Sequence, residues 1–588
     1  MTVATHIQDT SPVVSIPNLG SVRGVHNNDT DNKVAKFLNI PFAVVEERWR
    51  PATKVQPWDG VRDATKLGPM PPQQTENNAF MSLFMGVPER FDYDEDMSER
   101  DCLNCNIFMP ASAVGSSKEL PVLVWIHGGG MRNGANSVPL YECSDLVLES
   151  IEQNKPMIVV TLNYRLNYFG FLSSKELLLD AQQHPKTLPA NQWHDGSVGN
   201  WGILDQILGL EWIRDHIGAF SGNPSRVTIM GESGGSIAVS YLHLIPQARG
   251  LFRRSILQSG AASTMSEMYP EQEGQVMFDR LCRLCDIPED LEPLEKVARL
   301  RQVPGQKFVE DMNATPFILF RPSLDGVVFR KDCRVTVGDA ESYDPQLEWV
   351  MTGNTREEGT MFVAQLGAST LEEHDPFISR LCPPSSRSQF TTIFGTPSTD
   401  TEVQHLSMRL TGDGGYRFPT LQVSEAIKAH PTAQLTRYHF DRHTEMLEGM
   451  MPGMGAHHGV DLFFVFGNAT ARGLLNKEER GFVKKVQAVW IEFVTAVSPK
   501  ASTLPKVLGS LYPDTSSGEG VGAGEEAVVA EKEAIVFGKD LEVTRGSVER
   551  LSTEEIAFWR KFYAYTAEQA KLGRAGDVGF NLAKGIKP

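Results

Sequence analysis

The stretch that decides the fold is Val227–Ile245, VTIMGESGGSIAVSYLHLI. A β-rich run meets a serine enclosed by glycines, and a helix-like run follows at once. Glycine tolerates backbone angles that other residues avoid, so the turn is either a tight connection or a device that holds Ser233 in an unusual pose. Gly231–Gly235 fits the pattern G-x-S-x-G, in which a sharp strand-to-helix turn exposes a nucleophilic serine above a sheet.

A second glycine tract lies upstream of this turn. His127–Gly130 reads HGGG and follows the apolar run PVLVWI. Backbone N–H groups left free at such a strand end can converge on the oxyanion that forms when a serine attacks an ester. Either motif alone could be a flexible turn. The two motifs, each at a strand end and in this order, indicate acyl-transfer chemistry.

Strands alternate with helices around both motifs, which predicts an α/β fold with a large, mostly parallel, twisted central sheet and helices on both faces. The region from about 265 to 345 is predicted to be helical and irregular. Near the N-terminus, VVSIP, KVAKFLNIPFA and LNCNIFM are predicted as strands of an antiparallel or mixed edge. Ser552–Glu555 (STEE) is predicted as a capping box that opens the final helix. The predicted central strands are PVLVWIH, PMIVVTLNY, RVTIMG, LFRRSILQSG, EWVMTGN and QLTRYHF, and GNWGILDQILGLEWIRDHIGAF is the helix before RVTIMG.

Composition excludes several classes of partner. The 588 residues carry a net charge of −17, which argues against nucleic acid or an anionic membrane as a main partner. No apolar run approaches the ~20 residues of a membrane span, and the first residues lack the features of a secretory signal. The seven cysteines are too sparse for a disulfide framework. We therefore expect a cytoplasmic protein without an integral membrane segment.

Several further segments carry a family resemblance. The chain resembles the type-B carboxylesterase/lipase family, the cholinesterase-like branch of the α/β-hydrolases. The resemblance implies the α/β-hydrolase fold in a single domain over residues 1–588, with the Gly/Glu-rich stretch 516–534 as a solvated loop. The segments that carry it, beside the glycine motifs, are ERDCLNCNIFMP, NYRL (Asn163–Leu166), GNWGILDQ (Gly199–Gln206), FSGNPSRVTIMGESGGS and WIEFVTAVSP.

The resemblance also implies the partners of the serine. Its acid position falls on Glu358 in TGNTREEGTMF, and its base position falls on His458 in GAHHGVDLFFVFG. Glu357 and His457 are the adjacent alternatives. In an extended segment neighbouring side chains point to opposite sides, so only one histidine easily faces the serine. We expect Glu357 to be solvated and His457 to be a wall or surface residue.

The implied reaction is ester hydrolysis through an acyl-enzyme. Ser233 attacks, His458 moves the proton, Glu358 orients the imidazole, and the N–H groups of Gly129, Gly130 and Gly234 bind the oxyanion. No cofactor and no metal are implied. The partner is a small-molecule ester, and the chain is expected to be a monomer or a homodimer.

Some residues depart from the family pattern. Pro71 in GPMPPQ stands where the family has the cysteine that pairs with the position of Cys102, so we expect that disulfide to be absent. The C-x-x-C pairs starting at Cys102 and Cys282 favour buried thiols over a zinc site. No tryptophan lies between Pro71 and Cys102, which argues against a choline ester.

Methionine and phenylalanine residues near the motifs predict a hydrophobic ester, because they form an adaptable apolar wall; plain core packing accounts for them equally well. They are Ala79–Gly86 (AFMSLFMG), Met446, Met450, Met451 and Met454. Two alternative functions remain open at this point. One is a specialised acyl-transfer or lactone-opening enzyme of secondary metabolism, and the other is a non-catalytic cholinesterase-like binding protein.

Overall fold

The computed structural model describes residues 11–74, 96–183, 194–314, 320–363, 367–445, 448, 453–499, 534–539, 543–546 and 551–572. Its strands are β1 (Val13–Ile16), β2 (Gly20–Arg23), β3 (Val25–His26), β4 (Val34–Pro41), β5 (Ala43–Val44), β6 (Thr53–Lys54), β7 (Val61–Asp63), β8 (Asn104–Pro110), β9 (Leu120–Ile126), β10 (Ile158–Leu162), β11 (Gly222–Glu232), β12 (Arg254–Gln258), β13 (Trp349–Thr355), β14 (Gln434–Phe440), β15 (Ala534–Phe537) and β16 (Val543–Gly546).

A large mixed sheet runs in the order β16-β15-β14-β13-β12-β11-β9-β10-β8-β4-β3 within the described residues. All pairings from β10 through to β15 are parallel. The β3, β4 and β8 edge is antiparallel, and β16 closes the opposite edge antiparallel to β15. The predicted parallel sheet with an antiparallel N-terminal edge is therefore confirmed.

The prediction for VVSIP was wrong in one respect. The segment forms β1, yet β1 belongs to a separate sheet of order β1-β2-β7. A local turn explains this placement, because Asn18 has a φ of 63° and the Leu19 N–H donates to the carbonyl of Ile16. The hairpin gives the backbone of β1 its hydrogen-bond partners in β2, so β1 does not join the central sheet.

Helices connect the strands. The helix predicted in GNWGILDQILGLEWIRDHIGAF, before β11, is confirmed as Trp201–His216. The helices are α1 (Ser144–Glu152), α2 (Asn167–Phe171), α3 (Lys175–Gln183), α4 (Trp201–His216), α5 (Gly234–Leu244), α6 (Gln275–Leu284), α7 (Pro293–Gln302), α8 (Gly305–Ala314), α9 (Cys333–Thr336), α10 (Leu371–Leu381), α11 (Arg387–Phe394), α12 (Asp400–Gly412), α13 (Phe418–Ala429), α14 (Asp461–Phe466), α15 (Ala469–Leu474), α16 (Lys477–Thr495) and α17 (Thr553–Lys571).

The two faces of the sheet carry two separate cores. Side chains alternate along a strand, so Val124 of β9 joins the core that includes Ile207 of α4 and Ile237 of α5. Its neighbour Trp125 joins the opposite core with Trp490 of α16. Burial on both faces explains why the central strands are continuous apolar runs.

A third core joins the chain's last described helix to α10, α11 and α12. The predicted capping box opens α17: the Ser552 N–H donates to Glu555, and the Glu555 N–H donates to the Ser552 hydroxyl at 3.2 Å. Of the predicted loop 516–534, residues 516–533 lie outside the described residues and Ala534 begins β15. Among the helices that the structure describes, none is both long and apolar enough to cross a membrane.

Candidate active site

Ser233 stands alone between β11 and α5, at the top of the central sheet. Its backbone has φ 54° and ψ −124°, a combination that is strained for a residue with a side chain. Neighbours fix this conformation, because the Ser233 N–H donates to the carbonyl of Gln258 at 2.9 Å and its own carbonyl accepts from Ile237. The turn is therefore more than a tight connection, because it holds Ser233 in a backbone conformation that residues with a side chain rarely adopt.

The glycines on either side of Ser233 are required by close approach. A Cβ on Gly231 would lie 2.3 Å from the carbonyl carbon of Gly235, and one on Gly235 would lie 2.0 Å from the carbonyl oxygen of Ile126. Any side chain at these positions would push α5 away from the sheet. The elbow therefore needs glycine at both positions.

The HGGG turn contacts the start of α5. Gly129 and Gly130 have φ of 103° and 61°, which favour glycine. A Cβ on Gly234 would lie only 2.7 Å from the backbone nitrogen of Gly130. Gly234 is the first residue of α5, so its N–H has no acceptor within the helix. The three N–H groups predicted to bind an oxyanion thus belong to two backbone segments in direct contact.

Glu358 lies just beyond the end of β13 and is fully buried. Its Oε1 accepts hydrogen bonds from the Ser259 hydroxyl at 2.7 Å, the Thr355 N–H at 2.8 Å and the Asn354 amide at 3.2 Å. Burial acts to raise the pKa of Glu358, but the hydrogen bond to His458 and these donors outweigh it and lower the pKa. Glu358 is therefore held as a carboxylate.

The structure separates Glu358 from Glu357. The Glu357 side chain is 47 % exposed and lies 3.5 Å from the guanidinium of Arg356. This agrees with the expectation that Glu357 is solvated.

His458 brings its Nδ1 to 2.6 Å from Oε2 of Glu358. Its Nε2 lies 3.1 Å from Oε1 of Glu232 and makes no hydrogen bond within the described part of the chain. Burial alone would lower the pKa of His458, but the charge of Glu232 and the contact with Glu358 raise it to about 9. The structure thus joins the predicted base to the predicted acid, with the second ring nitrogen facing Glu232 instead of bonded to Ser233.

The sequence reasoning missed Glu232. This residue is the variable position of the G-x-S-x-G motif and is buried at the end of β11. Burial raises its pKa to about 8, against the attraction of His458. The available signal was a carboxylate directly before the serine, at a place where a buried strand ends.

A third acidic residue, Asp461, is buried at the start of α14. Its Oδ2 accepts from the Gln258 amide at 2.9 Å and from the Tyr438 hydroxyl at 2.9 Å. Burial raises the pKa of Asp461. Glu232 and Glu358 thus face the two ring nitrogens of His458, whereas Asp461 acts on the imidazole only through its charge.

His457 is buried, so of the two expected roles the surface residue is wrong, whereas the wall residue stays a prediction. The physical reason is a backbone contact: the Glu357 N–H donates to the carbonyl of Ala456 and Glu357 forms an isolated bridge with His457. This contact presses the segment against the end of β13. Burial lowers the pKa of His457 to about 4, so the ring is neutral near pH 7.

Two aromatic residues that the sequence reasoning also missed enclose the His458 ring. The ring of Tyr416 lies 4.7 Å from it, and the ring of Phe362 lies 5.1 Å from it. Of the methionines expected near the site, Met454 is partly buried. Ala79–Gly86, Met446, Met450 and Met451 lie outside the described residues.

All seven cysteines are free thiols, including the buried Cys102. The group most similar to a metal site among the described residues consists of Glu267, Asp332 and Cys333. Asp332 already accepts hydrogen bonds from the Arg334 guanidinium on both oxygens. The arginine supplies the positive charge that a metal ion would otherwise bring, so the cluster does not fit a metal.

A strained serine elbow, a glycine turn against a helix N-terminus and a buried histidine–glutamate pair lie beyond the carboxyl ends of the strands of a mostly parallel sheet. Together the fold and this site define a serine hydrolase of the α/β-hydrolase class.

The chain belongs to the carboxylesterase family, since a sequence model of that family matches residues 10–517. It is 28% identical to a para-nitrobenzyl esterase of Bacillus subtilis over 82% of this chain and 90% of the relative. It is 29% identical to a pyrethroid hydrolase of Rattus norvegicus over 85% of this chain and 84% of the relative.

Solved structures agree with this assignment. A thermophilic para-nitrobenzyl esterase superimposes with a TM-score of 0.68 at 25% identity, covering 94% of this chain and 100% of the other. A carboxylesterase of Geobacillus stearothermophilus gives a TM-score of 0.67 at 26% identity, covering 93% and 100%. The protein is a carboxylic-ester hydrolase, and its family works through an acyl-enzyme.

Proposed function

We propose that Ser233, His458 and Glu358 form the catalytic triad of this esterase. The observation that supports the proposal best is the 2.6 Å contact between Nδ1 of His458 and Oε2 of Glu358 beside the strained elbow. This contact fixes the proton on Nδ1 and leaves Nε2 as the basic nitrogen. A buried carboxylate also stabilises the imidazolium that forms when the histidine takes a proton.

The reaction proceeds in two half-reactions. His458 removes the Ser233 proton as Oγ attacks the ester carbonyl carbon, and the N–H groups of Gly129, Gly130 and Gly234 stabilise the oxyanion. His458 then gives that proton to the departing alcohol, which leaves the acyl-enzyme. Water, deprotonated by His458, attacks the acyl-enzyme and releases the acid and free Ser233.

Proton transfer requires Nε2 to come within about 2.6–3.2 Å of Ser233 Oγ, a distance that often tightens only when substrate is bound. In the structure Nε2 lies 3.1 Å from Glu232, the residue next to the serine. The proposed triad therefore requires the imidazole to exchange Glu232 for Ser233 as the neighbour of Nε2. We propose that the ester, by fixing Ser233 Oγ, favours this exchange.

The proposed substrate is a hydrophobic ester. Phe362 and Tyr416 place aromatic rings against the proposed base. Two of the relatives carry names that refer to esters with apolar groups, a para-nitrobenzyl esterase and a pyrethroid hydrolase. Aromatic side chains next to the reacting atoms favour such groups over charged ones.

A panel of p-nitrophenyl esters of rising acyl length tests this proposal on the wild type, Ser233→Ala and Ser236→Ala. Ser236 is the matched control, because it lies in the same elbow but its hydroxyl donates to the carbonyl of Gly260. We expect Ser233→Ala to lose turnover on every ester and Ser236→Ala to keep it. Equal turnover by the wild type and Ser233→Ala would overturn the triad. An inert wild type that still reacts with a serine-directed phosphonate would favour the specialised acyl-transfer or lactone-opening function.

We also propose that the protein works in the reducing environment of the cytoplasm. Its seven free thiols support this location, since a secreted member would be expected to pair some of them. Fractionation of the native host's cells, with detection of the chain in the soluble cytosolic or the exported fraction, tests the proposal. Recovery in the exported fraction would contradict it.

A further inference from the structure

An unusual turn carries one of the rings that touch His458. Residues Asp413–Arg417 form a π-helical turn between α12 and α13, where the helix widens for a single turn. Such turns cost helical hydrogen-bond geometry and are found frequently at functional sites. Tyr416 is the aromatic residue of this turn, and it points at the proposed base.

The rings of Tyr416 and His458 are in close contact, and the ring of Phe362 touches both of them. The ring centroids of Tyr416 and His458 are 4.7 Å apart at an angle of 52°, and Phe362 lies nearly parallel to Tyr416 at 5.4 Å. Tyr416 is 7% exposed, and its hydroxyl makes no hydrogen bond with the residues that the structure describes. The ring itself, rather than the hydroxyl, is therefore the part that meets His458.

The same turn reaches the proposed acid. The Arg417 guanidinium donates to Asp413 and to the carbonyl of Arg356, two residues before Glu358. One turn further on, the Thr420 hydroxyl donates to Asn354 at 2.7 Å, and the Asn354 amide donates to Glu358 at 3.2 Å. The turn therefore contacts the base directly, and the helix that follows it reaches the acid through Asn354.

The last helix holds this turn from outside. The Tyr563 hydroxyl of α17 donates to the carbonyl of Gly414 at 2.7 Å, and its ring stacks on Phe418 at 5.2 Å. A widened turn leaves carbonyl groups without their usual helical partner, so a side-chain donor stabilises the widened form. This bond ties the C-terminal helix to the site.

We propose that Tyr416 is a positioning residue of the triad, whose ring limits how far the His458 imidazole turns between Glu232 and the serine, and that Tyr563 holds the turn that carries Tyr416. The proposal rests on the triad assigned above. In the structure Nε2 of His458 faces Glu232, and in the proposed reaction it must face Ser233, so a ring packed against the imidazole controls how far the imidazole can turn. Misplacing a reacting group by about 1 Å costs up to about 100-fold in rate.

Steady-state kinetics on Tyr416→Leu and Tyr416→Phe test the positioning role. Leucine keeps an apolar side chain and removes the flat ring, whereas phenylalanine keeps the ring and removes the hydroxyl. We expect kcat of Tyr416→Leu to fall about tenfold or more with KM within about threefold. We expect Tyr416→Phe to stay within about threefold of the wild type. Phosphonate inactivation should slow in parallel with kcat, since it needs the same proton transfer.

Three results would overturn the positioning role. The first is a wild-type kcat in Tyr416→Leu. The second is an equal loss of kcat in Tyr416→Leu and Tyr416→Phe, which would assign the effect to the hydroxyl. The third is a rise in KM of Tyr416→Leu without a fall in kcat, which would make Tyr416 only a wall for substrate. Ser233→Ala separates this proposal from the triad: if that variant is inactive while Tyr416→Leu has wild-type rates, only the positioning role fails.

Tyr563→Phe tests the support from α17, with Tyr343→Phe as its matched control. Tyr343 is another buried tyrosine that donates to a carbonyl, that of Val337 at 2.8 Å, outside the site. We expect a several-fold lower kcat in Tyr563→Phe alone, with the fraction of sites titrated by phosphonate unchanged in both. Unchanged kcat in Tyr563→Phe would overturn the role of α17.

Discussion

Glu232 faces the basic nitrogen of His458, and this contact predicts how activity depends on pH. Their atoms lie 3.1 Å apart, so at an effective dielectric constant near 20 the full attraction is about 5 kcal/mol. That figure is an upper bound and corresponds to about 4 pKa units. Burial of His458 opposes it, and Glu358 keeps its own contact in any variant at position 232.

The change Glu232→Gln removes the charge that Glu232 carries above its raised pKa of about 8 and keeps the shape of the side chain. His458 accepts the Ser233 proton only when neutral, so activity rises with pH through the pKa of His458, which is raised to about 9. Removing the negative charge lowers that pKa. We expect the acid limb of kcat/KM to move to lower pH by roughly one to two units.

The assay is kcat/KM for one p-nitrophenyl ester from about pH 5 to about pH 10, because this parameter reports the pKa of the free enzyme's base. Glu357→Gln is the control, since Glu357 is exposed and its carboxylate pairs with Arg356. Its acid limb should coincide with that of the wild type. An unmoved limb in Glu232→Gln, or one displaced to higher pH, would refute the electrostatic reasoning.

The remaining predictions concern the oxyanion turn, the acid and the thiols. Gly234→Ala should lower kcat about tenfold to 100-fold with little change in KM, because the new Cβ would lie 2.7 Å from Gly130 N and displace an oxyanion donor; steady-state kinetics measure it, and an unchanged kcat would contradict it. Ser259→Ala should lower kcat about tenfold, because Glu358 loses a charge-assisted hydrogen bond of 2.7 Å. Steady-state kinetics measure this change too, and a wild-type kcat in Ser259→Ala would contradict the prediction. The denatured protein should titrate seven thiols with or without reductant, and a higher count after reduction would reveal a disulfide.

The central sheet could be predicted from the sequence because its strands are buried on both faces and therefore read as continuous apolar runs. PVLVWIH became β9 and EWVMTGN became β13, each within a residue or two. The segment VVSIP could not be placed in this way. Its alternating burial suits any sheet with one exposed face, and the hairpin with β2 that captures it depends on backbone angles at Asn18.

Some residues of the candidate site could likewise be predicted from the sequence, and others could not. Ser233 and the glycine tracts could be predicted because close backbone contacts demand glycine, and this demand is visible in the sequence. Glu358 and His458 came from the family resemblance, since spacing alone does not distinguish them from Glu357 and His457.

Glu232 and Tyr416 were missed for a physical reason. The role of Glu232 depends on the direction of the His458 ring. The role of Tyr416 depends on a π-helical turn, which places Tyr416 against His458 although it lies 42 residues earlier in the chain. The carboxylate directly before the serine is visible in the sequence, but neither the direction of the ring nor the widened turn leaves a pattern in the residues nearby.

The central claim is that Ser233 is the nucleophile, and peptide mass analysis after reaction with a serine-directed phosphonate tests it most directly. Our account predicts one adduct per chain on the peptide that contains Ser233, with no adduct in Ser233→Ala and an unchanged adduct in Ser236→Ala. An adduct on another serine, or equal labelling of Ser233→Ala, would contradict it.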